Sequence, residues 1–155
     1  MRDSQDICTA AAGQAVTAAA YSTGSKDKGL AALDYASGEV IYGCAIVTTA
    51  LTDAGSNTGT EVWWADDAVS PTGGAFGTVS GAKLQRLGIF PQAAVVGAAS
   101  SFIQTPLAPL TTTQQLMGFH FDPLTASLTG GKIVAGFTTD PSTWAAYASA
   151  YTVTG

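Results

Sequence analysis

The stretch VIYGCAIVTT (residues 40–49) is apolar on both of its alternating faces and rich in β-branched residues. That pattern reads as a strand covered from both sides, and it marks the expected central strand of a sheet. Two other stretches keep a strict two-residue period. GKIVAGFTT (131–139) sets Ile133, Ala135 and Phe137 on one face, and QLMGFHF (115–121) sets Met117, Phe119 and Phe121 on one face. Further strand-like runs are QAVTAAAYST (14–23), GTEVWWA (59–65), KLQRLGIF (83–90), ASSFIQ (99–104) and WAAYASAYTV (144–153). Clusters of Gly, Pro, Asp and Ser separate them: DAGSN, SPTGG, TPLAPLTT, DPLTASLTGG and DPS. The Ala-rich pieces at 9–20 and 144–150 favour helix by composition, but Thr and Ser surround both, and strand is the reading adopted for them. About eight short strands at roughly ten-residue spacing, with no amphipathic helix, predict an all-β, jelly-roll-like antiparallel sandwich. Residues 1–13, polar or tiny, are read as an extended N-terminal arm with little of its own to bury, and 14–155 as a single domain.

Composition narrows the function classes. The chain has 155 residues, of which 11% are charged against roughly a quarter in ordinary soluble domains, and Ala, Thr, Ser and Gly stand in for the missing charge. A net charge of −5 argues against general attraction to nucleic acid or anionic lipid. The opening MRDSQDICTAAAGQAV has no basic end leading into an apolar run, and the longest such run, VIYGCAIV, falls far short of the ~20 residues that span a bilayer. No secretory signal and no membrane span are therefore expected. Cys8 and Cys44 are too few for a disulfide framework and are expected as reduced thiols.

Little in the chain suggests catalysis. His120 is the one histidine and alternates away from Met117, Phe119 and Phe121, as a surface residue would. The nucleophile elbow G-x-S-x-G does not occur, and the glycines at 73, 74, 130 and 131 lack phosphate-loop spacing and read as hairpin turns. No enzyme activity, cofactor or metal is expected. Asp66 and Asp67 follow Trp63 and Trp64, an arrangement open to two readings: a calcium or sugar site, or a strand ending in an acidic turn. Neighbours on a strand face opposite ways, so one Trp enters the core while the other is covered by another chain, or by a loop or the arm of the same chain.

The order of segments resembles the small capsid cement (head decoration) proteins of tailed bacteriophages, the type described from a short-tailed Bordetella phage. The resemblance rests on DSQ at 3–5, QAVTAAAYST, KDKG, VIYGCAIVTTAL, VWWADD with a Ser-Pro-Thr turn, PLAPLTTTQQ, LMGFHF, and a Gly-Gly-Lys hairpin into IVAGFTTD. It covers nearly the whole chain. Gln114 and Gln115 stand where the family commonly has basic residues, and WAAYASAYTVTG runs past the expected end of the family domain. The resemblance implies a jelly roll on the outer surface of the virion capsid, made in the host cytoplasm and bridging neighbouring major capsid proteins. It further implies a homo-oligomer, dimer or trimer, at local symmetry axes, with neither nucleic acid nor membrane as partner. Trp63, Trp64, Asp3 and Gln5 are the expected interface residues. The competing class is a carbohydrate-binding jelly-roll module on a phage or bacterial surface, using Trp63, Trp64, Asp66 and Asp67.

Overall fold

The computed structural model of the chain describes residues 7–10, 12–27, 40–53, 59–69, 72–91, 101–108, 114–124, 128–142 and 144. They form an all-β sandwich of two antiparallel sheets. The strands are β1 (Gln14–Ala15), β2 (Ala20–Tyr21), β3 (Lys26–Asp27), β4 (Tyr42–Asp53), β5 (Thr60–Asp67), β6 (Ala82–Phe90), β7 (Phe102–Pro106), β8 (Leu116–Pro123) and β9 (Leu128–Thr138). One sheet runs β1-β9-β4-β7; the other runs β2-β8-β5-β6, with β3 following β2 along the same edge of β8.

Alternation builds the core as expected. Met117, Phe119 and Phe121 from β8, and Ile133, Ala135 and Phe137 from β9, are all fully buried between the sheets with Val62, Trp64 and Leu87. The rings of Phe119 and Phe137 stack across the gap with centroids 4.5 Å apart. Each of the larger of these side chains contributes about 1.5–3 kcal/mol by leaving water. β4 lies between β9 and β7, and it is covered twice. Ala45 and Val47 face the inter-sheet core, whereas Cys44 and Ile46 face outward into a second cluster with Val134 and Trp144. Ile7, Tyr42 and Phe102 pack at the rim of that cluster.

Both lateral seams of the sandwich are bridged by side chains. Gln14, on β1, donates through Nε2 to the Tyr21 carbonyl at 2.8 Å and accepts from the Thr23 amide at 2.7 Å. On the far side Thr105 Oγ1 donates to the Leu87 carbonyl at 2.6 Å, and Gln85 spans to the Pro106 carbonyl and the Ala108 amide. Covered edges have fewer open backbone groups to offer another strand.

Four expectations need correction. Residues 14–23 are not one strand: β1 and β2 lie in different sheets, and the chain between them crosses the sandwich at a corner that small side chains allow. The arm at 1–13 is part of the fold over its described portion from residue 7. Ile7 bridges Gly136, the Cys8 amide donates to the Ala135 carbonyl at 2.9 Å, and Thr9 Oγ1 accepts from the Ala135 amide at 3.1 Å. Small residues suffice there because the free edge of β9 anchors them through backbone bonds, and Cys8 is fully buried. Gly130 and Gly131 are no hairpin; they lie inside β9, where its register with β4 shifts, and Gly131 takes φ 135° with its α-carbon face against Leu51. Gly73 and Gly74 do lie in a hairpin connection, the long one between the paired strands β5 and β6. Finally, Trp144 is helical, with Ser142, rather than the start of a strand. Asp140 caps this turn, its Oδ1 accepting from the Ser142 amide at 3.0 Å, and Pro141 occupies the first helical position. The rest of the expected strand at 144–153 lies outside the described residues.

Candidate functional site

The outer face of the β2-β8-β5-β6 sheet collects most of the chemistry the sequence singled out. Trp64 points into the core and is 2% exposed, while Trp63 points outward and is half-buried. Trp63 pairs across the ladder with His120 on β8 and Arg86 on β6, and Tyr21 of β2 lies beyond His120. The indole Nε1 of Trp63 donates to Glu61 Oε2 at 2.8 Å, and Glu61 Oε1 accepts from Arg86 at 2.9 Å. Lys83 places its ammonium 5.0 Å from the Trp63 ring centroid and 3.4 Å from Asp122. The ring is thus held in one orientation between two ion pairs, each partly open to solvent. The Arg86 guanidinium holds the Glu61 carboxyl below the usual range; burial opposes this, and the Trp63 indole adds to the lowering.

Part of this face is roofed by the chain itself, around Gly118 and Tyr21. Phe76, from the β5–β6 connection, lies over Gly118, where a Cβ would come within 2.6 Å of the Phe76 ring. The ring of Tyr21 meets Phe76 edge-on at 5.7 Å and lies flat against Gly77. The connection is organised by Asp67, whose carboxylate accepts from the amides of Ala68 (2.8 Å), Gly77 (2.7 Å), Val79 (3.3 Å) and Ser80 (2.6 Å).

This arrangement decides between the two readings of the acidic pair. Asp66 is 2% exposed on the Trp64 side and Asp67 is 1% exposed beneath its own loop, so the pair is a strand end with an acidic turn. It offers no carboxylates beside Trp63 for a sugar or a cation. Burial by itself would raise the Asp67 carboxyl, but the amides of Ser80, Val79, Gly77 and Ala68 outweigh it and hold the group low. A carboxyl lowered in the folded state contributes stability above its unfolded value, here 3.8, and loses it as pH falls through the folded value. Asp67→Ala is therefore expected to cost roughly 2 kcal/mol near neutral pH. It should also flatten the acid limb of a stability-against-pH curve below pH 3.8, which urea melts at stepped pH would read.

His120 lies where alternation put it, on the outer face, but it is half-buried rather than open. Its ring meets Tyr21 edge-on at 4.6 Å, and its Nδ1 is buried without a hydrogen-bond partner. Burial, then the nearby Lys83 charge, lower its pKa from 6.5 against an opposing pull from Asp122. Asp3 and Gln5 lie outside the described residues. Cys8 and Cys44 are both buried, in different clusters, with no disulfide between them. Among the described residues no three His, Cys, Asp or Glu side chains converge as a metal site would. The signals sequence reasoning missed were the cap Asp140-Pro141, which was readable, and the Asp67 loop anchor, which has no local signature. Compared with known proteins, the sequence matches no family model and no curated relative.

Proposed function

We propose that this protein is a bacteriophage capsid cement protein, a jelly roll that binds the outer surface of an icosahedral head and bridges neighbouring major capsid proteins. The order of strands supports the jelly-roll part. β9 lies between β1 and β4 in one sheet while β8 lies between β2 and β5 in the other, as two interleaved Greek keys require. The observation that carries the functional part is Trp63. A partly exposed indole, pinned by Glu61 and Lys83 at the middle of an outer sheet face, is a preorganised aromatic anchor of the kind that dominates protein interfaces. The glycan reading loses the acidic pair it relied on, because Asp66 and Asp67 are buried away from Trp63. Repetition over a shell multiplies a modest affinity, and a homo-oligomer at a local symmetry axis would do so further.

The experiment compares binding to assembled heads with binding to dissociated capsid subunits. Heads are expected to be bound far more tightly, since the site would span adjacent subunits, and added protein should delay their disruption by heat. Trp63→Ala is expected to weaken head binding by about 2 kcal/mol, roughly thirtyfold. Heads that gain no resistance, or equal binding to free subunits, overturn the reading. Trp63-dependent binding on a glycan array would put the carbohydrate-binding alternative in its place.

A further inference from the structure

We infer that the His120–Tyr21 ring contact is an acid-releasable clamp, which holds the 72–80 segment down on the outer sheet face beside Trp63. The clamp is a stack of three layers. His120 on β8 supports Tyr21 on β2, and Tyr21 in turn bears on Phe76 and Gly77 of the segment. The fit at Gly77 is close: a Cβ there would fall 2.2 Å from the Tyr21 ring, and φ is 85°, so the segment rests on the ring through a bare α-carbon. β2 itself is two residues long and the Tyr21 carbonyl is tied to Gln14 Nε2 at 2.8 Å, so what His120 supports is the Tyr21 ring rather than its backbone.

Protonation undermines the bottom layer. In neutral His120 the buried Nδ1 has no hydrogen-bond partner, which costs less while that nitrogen carries no proton. An imidazolium has an N–H at both positions, and burying that second donor and its charge without a partner is costly. The charges facing the ring are Lys83 from β6, which repels the added proton, and Asp122 on β8, which attracts it but is already engaged by Lys83. Glu61 and Arg86, beyond Trp63 on the same face, are engaged with each other. Swinging the imidazolium into water removes the support under Tyr21 and loosens its ring contact with Phe76 and Gly77, while Asp67 still holds the segment by its amides. Asp67 grips the same segment from below but titrates in a lower range, under 3.8, so the two groups act in separate pH windows. The inference concerns this chain alone and holds whatever the partner.

The test is an NMR titration of the intact chain from about pH 7.5 downward, following the His120 ring proton and the ring-current-shifted α-protons of Gly77. The Gly77 signal is expected to move toward its unstacked position with the midpoint of His120, below 6.5. Release of the Tyr21–Gly77 contact should grow about tenfold per pH unit within that window, while β4–β9 amides stay protected. In His120→Gln the Gly77 signal should not respond above the Asp67 range. Should that variant fail to fold, Gly77→Ala serves, read at the Phe76 ring protons: its methyl forces the segment off the ring at every pH, so the step should vanish. A Gly77 signal that ignores the His120 midpoint overturns the clamp. So does a contact that tightens on protonation, or an unchanged step in either variant.

Discussion

Trp64→Ala is expected to lower the unfolding free energy by about 3–5 kcal/mol, the range for truncating a large core aromatic, whereas Trp63→Ala is expected to cost no more than about 1. The two residues are neighbours of the same type, so the contrast isolates the side of the sheet each one faces. Trp64 is packed between the sheets with Val62, Phe119 and Phe121, and its removal would leave a void that these rings cannot collapse to fill. Stability of a domain this size is typically about 5–15 kcal/mol, so the loss is a large share of the whole. Trp64→Phe should be much milder, because it keeps most of the volume and removes an indole Nε1 that is buried without a partner. Chemical denaturation of the three variants checks this, and equal losses for Trp63→Ala and Trp64→Ala would refute the assignment of faces.

A comparable loss, again about 3–5 kcal/mol, is expected for Trp144→Ala. Trp144 is 1% exposed and covers Cys44, Ile46 and Val134 on the outer face of the β1-β9-β4-β7 sheet. Its helical turn is fixed by Asp140, Pro141 and the Trp144 amide bond to the Pro141 carbonyl at 3.0 Å, so the indole is delivered to one place. Without it the second face of β4 opens to water. Cys44, fully buried in the native chain, should then react with a thiol reagent in the absence of denaturant, while Cys8 in the other cluster stays protected. If both thiols remain inert and the melting temperature is unchanged, Trp144 is not the cover of this face.

The two variants mark where local pattern stops being informative. The facing of β4, β8 and β9, and the opposite aim of Trp63 and Trp64, were legible because the strand period of two is a local property that holds before any partner is chosen. The apolar second face of VIYGCAIVTT announced a cover, but nothing in that stretch says that the cover is Trp144, about a hundred residues on. The hairpin reading of Gly130-Gly131 failed because a bulge inside a strand and a turn between strands call for the same residues. The arm reading weighed side-chain size and so overlooked Ile7–Thr9, which backbone bonds and the Thr9 hydroxyl hold to an edge of β9 that the sequence does not display.

The candidate site divides in the same way. By itself the sequence determined the all-β class, the inner and outer faces, and the placing of His120 and one Trp outside, since each follows from alternation along a single strand. Only the tertiary structure decided that Asp67 ties down the β5–β6 connection and that Tyr21 supports it from His120. It also decided that Glu61, Lys83, Arg86 and Asp122 surround Trp63. These contacts join residues on different strands, and Phe119 meets Ser22 across 97 positions of chain. Such distances are bridged by sheet order and register, which depend on the packing energy of the whole core rather than on any one stretch.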